Sequence, residues 1–152
     1  MPTHGGQIAF VGGHKMATEV DPWEVAQREF EEETNHGRDC LEYLGCLPPV
    51  LTARLRPIVP VMAKLTLGTD QFLRDVKSNG EWDEILAYPW SALIKEDGWE
   101  YAWRHGFVSN AVMFHPIKTG TYLPLAQNSK SHLLWGATAH MIWTFLSLYF
   151  NK

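Results

Sequence analysis

The chain has 152 residues, 45% of them apolar, a size that fits one globular domain spanning residues 1–152. Its formal net charge of -4 offers no basic surface to a phosphate backbone, which disfavours polymeric nucleic acid as a partner. Cys40 and Cys46 lack the spacing of a disulfide framework or a zinc site. Residues 1–6 lack the basic and apolar regions of a secretory signal, so a cytoplasmic or organellar interior is predicted.

The first predicted elements are a strand, a glycine turn and a helix. Residues 7–11 have the composition of a short strand that ends at Gly12 and Gly13, and a loop follows. Asp21 is a suitable N-cap for a helix over residues 22–34, because proline fits the first helical position and Glu24 completes a capping box.

The rest of the chain alternates apolar segments with turn residues. Strands are predicted over residues 41–47, 58–67, 82–88, 111–115 and 121–123. Helices are predicted over residues 90–95 and 132–150. This order predicts an α/β fold with a mixed sheet and helices on its faces.

The segment 133–150 contains no formally charged residue and is about as long as the shortest membrane-spanning helices. It nevertheless includes Gly136, Thr138 and His140, and no basic cluster follows it to set an orientation in a membrane. We therefore expect a buried helix, within the domain or at a subunit interface, in preference to a membrane anchor.

An unusual concentration of negative charge lies in residues 19–33, which contain seven carboxylates and one arginine. Glu29, Glu32 and Glu33 project from one face of the predicted helix, where their oxygens can hold a hard divalent cation. Acidic helix faces are usually solvated surfaces paired with basic residues. That alternative is weakened here because Arg28 is the one basic residue within the window.

The residues around this cluster resemble the Nudix box, commonly written G-x5-E-x7-R-E-U-x-E-E-x-G-U with U aliphatic. Gly13 is followed after five residues by Glu19, and the sequence Arg-Glu-Phe-Glu-Glu-Glu begins after eight more, at Arg28. The chain thus has one extra residue before Arg28. It also has Asn35 in place of the final glycine, and asparagine tolerates the left-handed conformation that glycine adopts there.

Two further segments are similar to the coenzyme A diphosphatase branch of the Nudix family, which also has eight residues in that gap. Residues 4–13 resemble the end of its R-x3-G-x3-F-P-G-G signature, with Val11 in place of proline, and residues 134–139 resemble its W-G-x-T-A segment. The resemblance implies a Nudix-like α/β/α sandwich. Because the box begins at Gly13, N-terminal strands are predicted to be missing or replaced, and the exposed sheet edge would favour a homodimer.

The resemblance also implies roles for individual residues. The ligands of Mg2+ or Mn2+ would be the Gly12 carbonyl and the carboxylates of Glu29, Glu32 and Glu33. The catalytic candidates are Glu29 and Glu81 as bases, with Glu84 as second choice to Glu81, and Arg28 as the group that orients the acidic side chains. Glu19 would support the loop, and the substrate-binding candidates are His14, Arg54 and Trp103.

The implied reaction is hydrolysis of a phosphoanhydride by water. The expected substrate is a small molecule, a nucleoside diphosphate linked to another group, with coenzyme A or a derivative first. The alternatives are nucleoside diphosphate sugars, dinucleoside polyphosphates or nucleoside triphosphates. A different class of protein, a noncatalytic nucleotide-sensing module, is disfavoured by the complete set of three glutamates.

Overall fold

The computed structural model describes residues 8–52, 56–88, 90–94, 99–100, 120–124 and 131–150. The chain divides into two compact units, each made from separated segments. The first, which we call the acidic-helix unit, comprises Phe10–Pro49 and Ile58–Tyr88. The other described residues belong to the second, which we call the C-terminal unit. The single domain over residues 1–152 stays a prediction.

Helices and short antiparallel strands make up the described elements, which fit an α/β fold. In chain order they are α1 (Pro22–Thr34), β1 (Leu41–Cys46), β2 (Val50–Leu51), β3 (Pro57–Ile58), β4 (Val61–Leu65), α2 (Thr69–Asp75), α3 (Trp90–Leu93), β5 (Trp99–Glu100), β6 (Gly120–Pro124), β7 (Ser131–Trp135) and α4 (Gly136–Phe150). The strands form the sheets β1-β4, β2-β3 and β5-β6-β7. The sandwich arrangement stays a prediction.

Helix α1 confirms the predicted bounds, and its two ends follow from local chemistry. The Asp21 carboxylate accepts hydrogen bonds from the Trp23 and Glu24 amides at 2.8 and 3.1 Å. At the other end, Asn35 adopts φ 57°, in the left-handed region, and its amide donates to the Glu31 carbonyl. The chain therefore leaves the helix at a residue that tolerates this conformation.

Helix α1 is supported in its unit by aromatic packing. Phe30 and Phe72 are buried, and their rings stack with centroids 6.0 Å apart. The ring of His36 lies 4.8 Å from that of Phe72. Near the start of the helix, Trp23 lies 5.2 Å from Tyr43 of β1, which pairs antiparallel with β4. These ring contacts thereby fix the apolar face of α1.

The C-terminal unit contains the three-stranded sheet and α4. Strand β6 pairs antiparallel with both β5 and β7. The side chains of Leu134, Ala139 and Leu146 are fully buried in this unit. The Thr138 hydroxyl donates to the Ile8 carbonyl at 3.0 Å, which ties the start of the described chain to α4.

Two predicted strands are wrong. Residues 8–11 form no strand, and the Ile8 carbonyl accepts from the Thr138 hydroxyl instead of from a neighbouring strand. Residues 82–88 form none either, since the Trp82 carbonyl accepts from the Ser78 hydroxyl at 2.7 Å instead of from a neighbouring strand. The helix α2, with Phe72 at its buried side, was not predicted.

The predicted start of the last helix is also wrong. Residues Ser131–Trp135 are β7, because they pair with Gly120–Pro124, and the helix begins only at Gly136. Residues 111–115 lie outside the described residues. Among the helices of the described chain, none combines the length and apolar character needed to cross a membrane.

We expect Asp21→Ala to lower the free energy of unfolding by about 1 kcal/mol, because the Trp23 and Glu24 amides lose their acceptor. Urea denaturation followed by circular dichroism measures the change. Asp21→Ser, which keeps a capping oxygen, is the matched control and should retain most of the stability. Equal loss in both variants would contradict the capping role.

Candidate acidic site

The candidate site is the acidic face of α1. Because a helix turns once per 3.6 residues, Glu29 and Glu32 point away from the buried Phe30 and Thr34, while the half-buried Glu33 lies at the border between the two faces. Thr34 also donates its hydroxyl to the Phe30 carbonyl at 2.6 Å, which satisfies its polar group in the interior. Packing on one side of the helix therefore dictates where the carboxylates of the other side project.

Arg28 is the centre of the charge arrangement. Its Nε donates to Glu19 Oε1 at 2.7 Å, and its NH1 donates to Glu29 Oε1 at 2.7 Å and to Glu32 Oε2 at 3.0 Å. Its NH2 donates to the His14 carbonyl at 3.0 Å. The Arg28 side chain is 12% exposed and that of Glu19 10%. One guanidinium thus joins the loop before the helix to two carboxylates on it.

This network shifts the acidity of both partners. Arg28, and then the Met16 amide at 2.6 Å, hold the pKa of the Glu19 carboxyl below its ordinary value. Glu19, followed by Glu29, raises the pKa of the Arg28 guanidinium above its ordinary value. Both groups therefore remain charged at neutral pH, and the ion pair that fixes the loop persists there.

Glu33 has a different environment. Its Oε1 accepts a hydrogen bond from the Gly12 amide at 3.2 Å. Partial burial raises the pKa of the Glu33 carboxyl above 4.5, the Gly12 bond opposes this, and the nearby charges of Glu81, Glu29 and Glu32 raise it further. Three neighbouring carboxylates therefore repel that of Glu33, a repulsion that a bound cation would relieve.

Gly13 lies against the Glu29 carboxylate so closely that a side chain of any size would collide with it. Any other residue at this position would displace the Glu29 carboxylate from where it lies. The peptide groups of the glycine turn therefore lie directly beside the carboxylates of α1.

Carboxylate and peptide oxygens are the donors that Mg2+ and Mn2+ prefer, so this set fits a divalent cation in chemical type. Within the described ranges, however, no three acidic, histidine or cysteine side chains surround one common metal position. The contacts explain this: Arg28 draws Glu29 and Glu32 towards itself, while Glu33 bonds to Gly12. The assignment of these residues as metal ligands stays a prediction.

Glu81 lies in a turn that reaches the end of α1. The Trp82 indole Nε1 donates to the Glu33 carbonyl at 2.7 Å, across 49 residues of sequence. Glu81 is the residue before Trp82, and its charge contributes to the raised pKa of Glu33. The fold thus brings Glu81 within electrostatic reach of Glu33, and its catalytic role stays a prediction.

The remaining predicted site residues are less informative. His14 contributes its carbonyl to Arg28, and nothing tests its imidazole as a substrate contact. The charge of Glu84 acts on Tyr88, whose pKa is raised by burial first and by Glu84 second. Arg54 and Trp103 lie outside the described residues.

Sequence reasoning missed Trp82 and Arg38. The sequence predicts Trp82 to lie in a strand, but its indole donates to a carbonyl of α1. The sequence signal for this contact was an indole N–H donor directly after Glu81. Arg38 donates to Glu31 at 2.7 Å and lines, with Arg28 and Glu24, a cleft of about 270 Å³ beside the loop. No local pattern distinguished Arg38, which begins the short 3₁₀ helix Arg38–Cys40 after α1.

Comparison with known proteins finds a match to one protein family. The model of the NUDIX domain matches residues 1–99. This match covers the glycine turn, the whole of α1 and the Glu81 turn. No solved structure matches the chain.

Three curated relatives resemble nearly the whole chain. Nudix hydrolase 15, mitochondrial, of Arabidopsis thaliana is 22% identical over 93% of the chain and 47% of its own length. Nudix hydrolase 22, chloroplastic, of the same plant is 23% identical over 93% and 44%. The uncharacterized Nudix hydrolase NudL of Photorhabdus laumondii is 28% identical over 92% and 67%. The chain spans less than half the length of the two plant relatives.

Arg28→Lys is expected to loosen the loop of residues 14–20, because an ammonium group cannot span Glu19, Glu29 and the His14 carbonyl together. Trypsin should then cleave after Lys15 several-fold faster, as measured by mass spectrometry on the metal-free protein. Arg38→Lys, which changes a pair with the half-exposed Glu31, is the control and should leave that rate unchanged. Equal rates in both variants would contradict the tether.

Glu33→Gln should stabilise the metal-free fold increasingly as the pH rises. The folded-state pKa of Glu33 is raised, so its proton is bound more tightly in the folded than in the unfolded chain. That advantage is present below the ordinary value of 4.5 and is lost as the pH rises through the folded-state pKa. Glutamine stays neutral and still accepts from the Gly12 amide.

The measurement is urea unfolding in EDTA at pH 4 and pH 8, with the stability of the variant compared with that of the natural chain at each pH. Glu31→Gln, on the same helix but paired with Arg38, is the matched control. If the change in unfolding free energy caused by Glu33→Gln is the same at pH 4 and pH 8, ionisation of Glu33 does not destabilise the fold.

Proposed function

The chain belongs to the NUDIX domain family, and from that premise we propose that it is a metal-dependent hydrolase that cleaves a phosphoanhydride in a nucleoside diphosphate linked to another group. The family and the names of the relatives support a hydrolase acting on acid anhydrides. Nudix hydrolases act on small molecules and generally use a divalent metal ion. The proposed ion is Mg2+ or Mn2+.

The observation that carries the proposal is the Arg28 network. It holds Glu29 and Glu32 on one guanidinium that is itself fixed by Glu19. A solvated acidic surface needs no such fixed arrangement, and it does not require a glycine against Glu29. These features support a preorganised acidic surface, on which a cation would release the carboxylates from Arg28 and Gly12.

In the proposed reaction, water attacks a phosphorus atom of the anhydride, one P–O bond forms, and the bridging P–O bond breaks to give two phosphate products. Glu29, Glu32 and Glu33, with the Gly12 carbonyl, would hold the metal ion. When bound, the ion would offset negative charge on the phosphoryl oxygens. Arg28 would brace the carboxylates, and Glu81 or Glu29 would accept the proton of the attacking water.

Coenzyme A or a derivative is the leading proposed substrate. The support is the spacing of eight residues between Glu19 and Arg28, together with the segments 4–13 and 134–139 that are similar to that branch. His14, Arg54 and Trp103 are the proposed contacts to the substrate. A homodimer and a cytoplasmic or organellar interior remain proposals.

We expect Glu32→Gln and Glu33→Gln each to lower Mg2+-dependent kcat by at least about 100-fold, because loss of even a supporting group of a metal ligand typically costs 10 to 100-fold. Glu31→Gln changes an exposed carboxylate that directly precedes Glu32 and pairs with Arg38, and it should keep the wild-type rate. Product release is measured by mass spectrometry, with circular dichroism to verify folding. Undiminished turnover in both site variants would contradict the proposal.

The substrate class is tested with a panel that contains coenzyme A, ADP-ribose, a dinucleoside polyphosphate and ATP. We expect the highest kcat/KM for coenzyme A, with adenosine 3′,5′-bisphosphate and 4′-phosphopantetheine as products. A higher value for ADP-ribose would retain the hydrolase and reject the coenzyme A assignment. Nucleotide binding with no turnover of any member would support the sensing module instead.

A further inference from the structure

Residues 78–82 form a turn that is closed by its own side chains. The Ser78 hydroxyl donates to the Trp82 carbonyl at 2.7 Å and accepts from the Gly80 amide at 3.0 Å. The Asn79 side-chain oxygen accepts from the Glu81 amide at 3.0 Å. Gly80 has φ 95°, which glycine adopts without strain. Glu81 and Trp82 are therefore oriented together, as parts of one closed turn.

The turn is tied to α1 by the indole of Trp82. The last four carbonyls of a helix lack partners within the helix, and the Glu33 carbonyl is one of them. Trp82 Nε1 donates to it at 2.7 Å. The contact also suits the partial negative charge at a helix C-terminus. Since an indole has one donor and only two side-chain torsions, this bond fixes the position of the turn closely.

The consequence concerns Glu81, which is joined to Trp82 by one peptide bond. The residue that Trp82 contacts, Glu33, carries one of the acidic groups of the proposed site. A shift of Trp82 therefore moves the Glu81 carboxylate relative to the acidic face of α1. A misplacement of about 1 Å can lower a catalytic rate by about 100-fold.

We propose that Trp82 is a positioning residue, whose indole N–H bond to the Glu33 carbonyl sets the Glu81 carboxylate against the acidic face of α1. The inference rests on the proposed function and deepens it. Trp82 acts through Glu81 and does not itself contact the substrate. A residue that only filled space would be replaced adequately by phenylalanine, which keeps an aromatic ring and lacks the donor.

The test is a double-mutant cycle of Trp82→Phe and Glu81→Gln. Trp82→Phe alone should lower kcat by about 10 to 100-fold, with KM changed much less, since the change misplaces a reacting group. In the Glu81→Gln background, the same change should alter kcat by less than about twofold, because residues that act as a unit are not additive. An unchanged kcat for Trp82→Phe, or an additive loss in the double variant, overturns the inference.

A second measurement does not depend on turnover. Mn2+ affinity, followed by electron paramagnetic resonance of the free ion, should fall by about tenfold in Glu81→Gln and in Trp82→Phe, the cost typical of a lost supporting group. The double variant should bind no more weakly than Glu81→Gln. Natural affinity in Trp82→Phe, or a further loss in the double variant, overturns the inference.

Controls separate positioning from stability. Trp23→Phe removes an indole from the same unit, where the ring packs on Tyr43, and should leave kcat and Mn2+ affinity unchanged. Ser78→Ala opens the turn without altering Trp82, and it should give the same kcat loss and the same cycle with Glu81→Gln. If Trp82→Phe does not fold, the double-mutant cycle of Ser78→Ala with Glu81→Gln tests the inference instead. Additive losses of kcat in that cycle overturn the inference.

The two proposals fail in different ways. A natural chain that hydrolyses no member of the panel rejects the hydrolase, while the Mn2+ cycle still decides whether Trp82 acts through Glu81. If the wild-type protein is active and Trp82→Phe has the same kcat, the hydrolase proposal stands and the positioning role of Trp82 is rejected.

Discussion

The arrangement of the candidate site depends on one guanidinium. Glu29 and Glu32 lie on the same helix face as other carboxylates, so their mutual repulsion would otherwise disperse them into solvent. Arg28 contacts both, and its remaining donors contact Glu19 and the His14 carbonyl in the preceding loop. The planar fork of arginine can make these contacts at once, which a lysine ammonium cannot. Loop and helix therefore form one preorganised surface, although the loop has no regular secondary structure.

The end of the same helix is stabilised by side chains instead of by a following turn of helix. The Glu33 carbonyl accepts from the Trp82 indole, and His36 Nδ1 donates to the Thr34 carbonyl at 3.0 Å. The ring of His36 also packs against Phe72, so its polar contact is held by apolar neighbours. The rigid placement of the acidic face thus comes from both its charged partners and the interior beneath it. This combination is what precise positioning of reactive groups requires.

The parts of the fold that could be predicted are those with local causes. The bounds of α1 follow from Asp21, from proline at the first helical position and from the tolerance of Asn35 for a left-handed conformation. The strand predicted over residues 82–88 and the helix predicted over residues 132–135 are both wrong, because apolar composition alone does not say where a backbone finds its partners. In the first segment the Trp82 carbonyl accepts from the Ser78 hydroxyl, and the second segment pairs with β6. In both cases hydrogen bonds to residues outside the segment decide the outcome.

The same division applies to the site. The sequence by itself determined the acidic cluster of α1, its single neighbouring arginine and its likeness to one enzyme family, since helical periodicity places residues three and four apart on one face. Only the tertiary structure decided which carboxylates Arg28 contacts, how closely Gly13 approaches Glu29, and that Trp82 reaches the helix across 49 residues. These contacts depend on the path of the backbone between distant segments, and long-range packing and hydrogen bonding determine that path.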